Sequence, residues 1–376
     1  MENEERINKL DQIRGLAILM VVVYHTTDFA FAGSLGQAFL FLRSGLWTGV
    51  DLFFVLSGFL ITKRLLEQRD QQRFLRHYFV RRLLRIFPLF YAYLIAILIV
   101  LPLVALISGS ALLENAVDSE PFKKLSEGQF WLWTYTHNFY QANGPGMLPG
   151  MGHLWSLAVE EQFYLVWPFL VLVFRSQRVF ACVSAMVLVI ACVTRVVLTA
   201  YGFEEWAIFH ITPARLDGLA AGAIVASLHS KRSLVANVRV AWPVGLVAIL
   251  AIAILMFRNL GFDKLNREVQ LFGYLSVSCF FATVVSSCAT STQEKKGSSA
   301  LRFLERVGRI SYCIYVVHWP IQIAVSAVLA KMQWPIAMAA TVQFTSVFLL
   351  SYLLAALSWK YFELPLIRLG RRITSI

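Results

Sequence analysis

The chain has 376 residues, of which 58% are hydrophobic and 15% charged, with a net charge of +12 and a mean hydropathy of +0.64. A soluble protein carries about 25% charged residues, so composition excludes an ordinary soluble domain and points to a polytopic membrane protein. The basic residues lie between apolar runs and form no domain of their own, which argues against nucleic acid as the partner.

Hydropathy predicts an all-α, polytopic transmembrane bundle of about ten spans, at 13–31, 46–62, 86–107, 154–174, 179–201, 213–228, 240–257, 268–290, 310–330 and 335–358. The sixth is short, which implies tilt or burial within the bundle. With the N-terminus inside, 25 of the 34 Lys and Arg fall on the inner side and seven outside, while Arg195 and Arg215 stay within spans. That asymmetry places both termini in the cytoplasm. The five cysteines (Cys182, Cys192, Cys279, Cys288 and Cys313) lie in apolar runs without a CxxC, so buried free thiols are expected.

The first span carries Arg14 and, ten residues on, His25. Helical rise puts His25 roughly 16 Å deeper, near mid-membrane, where an ionisable group is costly and marks a site. In the second, Asp51 reads as an outer polar anchor, and Ser57-Gly58 permits close helix packing. The following loop, 63–85, holds eight basic residues against Glu67 and Asp70. It reads either as a topology signal touching lipid phosphate or as a polyphosphate site, with Arg82 and Arg85 on one helix face and Pro88 bending or starting the next span.

The outer loop 108–153 carries Glu114, Asp118, Glu120, Glu127 and the run Gly144-Pro145-Gly146…Pro149-Gly150, and is long enough to cover a site facing outward. Ser156, Glu160 and Tyr164 then form one polar stripe on the fourth span. The stripe is either glue between helices or part of a site, with Glu160 partnering His25 or an arginine and Glu161 left near the outer interface. Arg215 and Asp217, two apart, do not face each other, so each pairs with another span. Arg195 is expected to snorkel outward in a structural role. In the ninth span Tyr312, Tyr315 and Trp319 read as an aromatic belt, while His318 lies deeper than a belt and is a candidate for the site or its packing. Glu363, at the exit of the tenth, can pair with an inner arginine.

Taken in order, Arg14-x10-His25, Gly49–Thr62, Arg82-x-x-Arg85, Ser156-x3-Glu160-x3-Tyr164, Pro213-x-Arg215-x-Asp217 and Tyr315-x-x-His318-x-Pro320 resemble the acyltransferase-3 family of integral membrane acyltransferases. The resemblance covers nearly the whole chain. It implies a single membrane acyltransferase domain over 1–376, in the inner membrane and without a fused extracytoplasmic domain. The implied reaction moves an acyl group, usually acetyl, from cytoplasmic acyl-CoA to a hydroxyl of a surface or secreted glycan such as O-antigen or exopolysaccharide. The implied partners are acetyl-CoA, a glycan or glycolipid acceptor and membrane lipid, with either direct transfer or a separate extracytoplasmic transferase partner. A small-molecule acceptor such as a macrolide is the alternative.

On the matched residues, Arg14, Arg82 and Arg85 meet the anionic donor. His25 is general base or transient acyl carrier, oriented by Glu160 or Asp51. Tyr164, Tyr315 or an arginine stabilises the oxyanion, and Ser156, Arg215, Asp217 and His318 support the site. No metal is expected, since no metal-ligand spacing occurs. A secondary transporter also buries His, Glu and Arg among helices, but it predicts matching broken helices in two halves, which the sequence does not display.

Overall fold

The computed structural model of the chain describes residues 8–27, 34–109, 117–143, 148–229, 238–289, 298–332 and 334–374. Among the described residues every regular element is helical. The first group is α1 (Asn8–Thr26), α2 (Ser34–Arg43), α3 (Gly49–Gln68), α4 (Phe74–Ile95) and α5 (Leu101–Ser108). Three short helices follow, α6 (Glu120–Glu127), α7 (Gln129–Trp133) and α8 (His137–Asn143), and then α9 (Trp155–Val173), α10 (Gln177–Ala200), α11 (Glu205–His210) and α12 (Asp217–His229). The remainder is α13 (Val238–Arg258), α14 (Tyr274–Ala289), α15 (Ser299–Arg309), α16 (Ser311–Leu329), α17 (Ile336–Ser358) and α18 (Leu364–Ile373).

Eight helical stretches among the described residues are long and apolar enough to cross a membrane, and Asp217–Leu228 is a shorter apolar helix. Helix ends depart from the hydropathy boundaries where charged residues ride on a helix that continues. The second stretch runs Phe74–Ser108, so Arg81, Arg82 and Arg85 stand on α4 and not in a loop, and Pro88 lies inside that helix. The stretch containing α3 runs Gly36–Gln68, and the last runs Ile336–Ile373. Conversely, α1 ends at Thr26, which puts His25 in its last turn and not at the helix midpoint.

The distribution of polarity is that of a chain in lipid. Apolar side chains such as Val193, Leu246, Phe257 and Leu353 are exposed, while Asp51, Arg195, Arg215 and Asp217 have no exposure. No water is available in a bilayer core to hydrate such groups, so they must satisfy each other. Arg215 Nη2 lies 2.6 Å from Asp51 Oδ1, and Arg195 Nη1 lies 3.0 Å from Asp217 Oδ2. Arg215 and Asp217 therefore pair with separate helices as expected, but Arg195 does not snorkel, because Asp217 and the Ala214 carbonyl hold it inside.

The central helix is α3, packed against α1, α9, α12 and α14. Its crossing with α12 needs Gly58, where a β-carbon would fall 2.0 Å from the Leu219 carbonyl oxygen. A second close crossing joins α15 to α1, where a β-carbon on Gly308 would lie 1.8 Å from the Asp11 carbonyl oxygen. The segment 117–143 does not hang free as a loop. Leu132, His137, Asn138 and Gln141 are buried, and Tyr135 stacks on Phe90 of α4. Residues 144–147 of the Gly/Pro run, Glu114, and the segment beyond Thr27 to residue 33 lie outside the described residues. The five cysteines are free; Cys313 is buried, whereas Cys182 is exposed on the outer surface of α10.

Candidate active site

Two polar ends face each other along the bundle. At one end the last turn of α1 meets α16 and the start of α9 around a cavity. His25, His153, His210, Lys264, Trp155 and Trp319 contribute to its lining. His25 Nδ1 lies 3.0 Å from His318 Nε2, and Trp319 packs edge-on against His25 at 4.5 Å between ring centres. His153 stacks parallel to Trp319 at 5.5 Å, and its Nε2 donates to the Val316 carbonyl at 3.2 Å.

The hydrogen bonds fix the tautomers of the neutral rings. His318 Nδ1 lies 2.7 Å from the Tyr315 carbonyl oxygen, which only accepts, so Nδ1 carries the proton and Nε2 the lone pair. His25 must then donate from Nδ1, which leaves its Nε2 as a lone pair. A half-buried imidazole lining a cavity, with Nδ1–H anchored and Nε2 unprotonated, has the form of a general base. Its orienting partner is His318, not Glu160 or Asp51.

Asp51 is committed to Arg215 in the core, and Glu160 lies deeper along α9. Both oxygens of Glu160 are occupied, by Ser57 Oγ at 3.0 Å and by the Tyr164 hydroxyl at 2.9 Å. Ser156 Oγ meets the Tyr315 hydroxyl at 2.6 Å, and that hydroxyl donates to the His153 carbonyl at 2.6 Å. Neither the Tyr164 nor the Tyr315 hydroxyl proton is thus free for an oxyanion. The stripe Ser156, Glu160, Tyr164 instead carries two separate hydrogen-bonded sets, Ser156 with Tyr315 and Glu160 with Ser57 and Tyr164, spread over about 12 Å at helical rise.

The stripe ends on arginines. Arg82 lies over the Tyr164 ring at 3.3 Å and 4.0 Å from Glu161, which faces this end of the bundle and not the outer interface. Arg85 is exposed one turn further on, with Arg14, Arg82 and Arg64 as electrostatic neighbours. No ion pair forms on Arg85 among the described residues. Arg14 is held by Asp11 at 2.9 Å, and Asp11 also lies 3.9 Å from Arg309 of α15. Arg14, Arg82 and Arg85 therefore assemble as expected, at the far end of α1 from His25. Glu363 bonds Ser358 at 3.0 Å.

His153, His210 and Lys264 enter the site without having been marked by the sequence. His210 lies outside the membrane-spanning helices, and burial pushes its pKa down to about 3. No group of three or more His, Cys, Asp or Glu side chains able to hold a metal forms among the described residues.

A helical bundle with an oriented histidine at one end and clustered arginines at the other is compatible with a membrane acyltransferase, the class that the family match defines. The chain belongs to the acyltransferase-3 family: the family's acyltransferase domain matches residues 7–360. It is 27% identical over 378 residues to peptidoglycan O-acetyltransferase OatA of Listeria monocytogenes, covering 97% of this chain and 56% of the relative. Putative peptidoglycan O-acetyltransferase YrhL of Bacillus subtilis is 27% identical, covering 85% and 49%. O-acetyltransferase OatA of Staphylococcus aureus is 25% identical, covering 96% and 57%. The chain thus spans about half the length of the curated relatives it matches. No solved structure matches it.

Proposed function

We propose that this chain transfers an acetyl group from acetyl-CoA, bound at the arginine end, to a hydroxyl of a cell-surface glycan bound in the histidine cavity, with His25 as general base. The His25–His318 pair carries this reading, because it presents an unprotonated Nε2 to a cavity at the far end of a helix from Arg14. The relatives that act on peptidoglycan support a glycan acceptor of that kind.

In the reaction the acceptor oxygen bonds to the thioester carbonyl carbon as its proton passes to His25 Nε2. The C–S bond then breaks, and the imidazolium returns the proton to the departing thiolate. Arg85 and Arg14 bind the donor phosphates, and Arg82 both neutralises the donor and holds Tyr164. The positive-inside asymmetry supports a cytoplasmic donor end and cytoplasmic termini. The eight long apolar helices support a multi-pass membrane position, and the inner membrane is part of this proposal.

The test is to feed labelled acetyl-CoA to membranes containing the protein and identify the labelled product by mass spectrometry. A glycan ester is expected from the parent and none from His25→Ala, which should insert normally. Transfer by His25→Ala at the parent rate would overturn the assignment.

A further inference from the structure

A second imidazole in the cavity has no part in the chemistry above. His210 closes α11, on a different element from His25, and is 1% exposed. Its Nδ1 lies 2.8 Å from the Trp206 carbonyl oxygen, so Nδ1 holds the proton and Nε2 the lone pair. No side chain or backbone donor bonds Nε2 among the described residues. The depressed pKa keeps the ring uncharged across the physiological range.

The ring is also held rigidly. Trp206, Phe209 and Trp155 surround it at 4.3, 4.9 and 5.5 Å between ring centres. Behind it Asn138 donates to the His210 carbonyl at 3.1 Å and to Thr212 at 2.8 Å. Gln162 donates to Asn138 at 3.0 Å and accepts from Thr212, closing a circuit that fixes the 210–212 turn. A lone pair on the cavity wall with no protein donor beside it favours a ligand that brings one. The indole walls suit the flat faces of a ring-shaped ligand, with few polar groups to set its orientation.

We propose that His210 is an acceptor-binding residue, whose Nε2 takes a hydrogen bond from a second hydroxyl of the saccharide that presents its reacting hydroxyl to His25. The proposal rests on reading the cavity as the acceptor site of an acyltransferase. With His25 on α1 and His210 on α11, the two acceptors fix how the sugar ring sits. His210 therefore sets which hydroxyl is acylated as well as how tightly the ring is held.

The experiment uses the purified full chain with labelled acetyl-CoA as donor and tri-N-acetylglucosamine as acceptor probe, comparing the parent, His210→Phe and His210→Gln. Phe keeps the ring packing, and Gln carries a carbonyl oxygen toward the Nε2 position. His210→Phe is expected to raise the acceptor KM about tenfold, leave the acetyl-CoA KM unchanged and spread acetylation over more than one hydroxyl. His210→Gln should recover most of the affinity. An acceptor KM and product position in His210→Phe equal to the parent's would overturn the proposal and leave the acyltransferase reading intact. So would a Gln variant as poor as Phe, which would mark a packing role alone. A parent whose labelled product, on the trisaccharide or in its own membranes, contains no saccharide overturns the saccharide assignment, and a parent that labels neither defeats both readings.

Discussion

His318 decides what His25 can do. Because the Tyr315 carbonyl claims the Nδ1 proton of His318, His25 is forced into the tautomer whose Nε2 is unprotonated. An uncharged imidazole here takes the place a carboxylate fills in other acyl-transfer sites. His318→Phe should therefore lower kcat by about a hundredfold or more, in the range of general-base losses, with both KM values close to the parent's. His318→Gln, which keeps an acceptor oxygen near the Nε2 position, should fall between the two, and steady-state kinetics with a pH profile separates these cases. The buried pairs make a different prediction. Asp51→Ala leaves the Arg215 guanidinium unpaired with no exposure, a loss of about 3–5 kcal/mol. The double variant Asp51→Leu/Arg215→Met should recover much of it, since the pair's own desolvation cost disappears with it. Thermal unfolding in detergent reads both, and full stability in Asp51→Ala alone would count against the pairing.

At the scale of elements, the part of the site farthest from the sequence signal is α8 with α11. Burial pushes His137 down to about 4 and His210 down to about 3. Both folded values lie below the unfolded value near 6.5, so above that pH their protonation removes nothing from stability. As pH falls below 6.5 the unfolded chain binds protons that the folded one refuses, and stability drops by about 2 kcal/mol per histidine by pH 5. His137→Phe should remove its own share of that acid sensitivity, about 2 kcal/mol at pH 5, in Tm measurements between pH 7 and 5, and an unchanged slope would show that His137 is not held neutral. These helices also show where sequence reading stopped. Arg14, His25, Glu160 and Arg215 were legible because an ionisable group inside an apolar run has no other reason to be there. His153, His210 and Lys264 stand at helix ends or in interfacial connections, where polar residues are usual. Nothing local separates a cavity-facing histidine from a solvated one. The pairings were not legible either. Spacing along one helix shows that Ser156, Glu160 and Tyr164 share a face, but which helix meets that face depends on the order of helices in space. Helix ends were misplaced for a related reason, since Arg81, Arg82 and Arg85 lower window hydropathy without interrupting α4.

Across the whole molecule the proposed reaction would divide between the two ends of the bundle. The arginine end gathers Arg14, Arg64, Arg82 and Arg85, a field suited to a donor that carries several phosphate charges. The opposite end has an aromatic cavity in which Lys264 is the basic side chain apart from histidines. Between the two ends lie two separate hydrogen-bonded sets, Tyr164–Glu160–Ser57 toward the arginines and Ser156–Tyr315 toward the cavity. If the charge asymmetry sets the orientation, donor and acceptor must be supplied from opposite faces of a sealed membrane. Inverted vesicles should therefore transfer label from external acetyl-CoA to an enclosed glycan, while right-side-out vesicles given the same external donor should not. Arg85→Ala should weaken the inverted-vesicle reaction through the donor KM, by about tenfold or more for a charge-assisted contact, with little change in kcat. Raising the salt concentration should imitate that loss in the parent more than in the variant, because screening acts on the interaction the variant has already lost. Label transferred equally from either face would defeat the two-ended arrangement, whatever the fate of the individual residues.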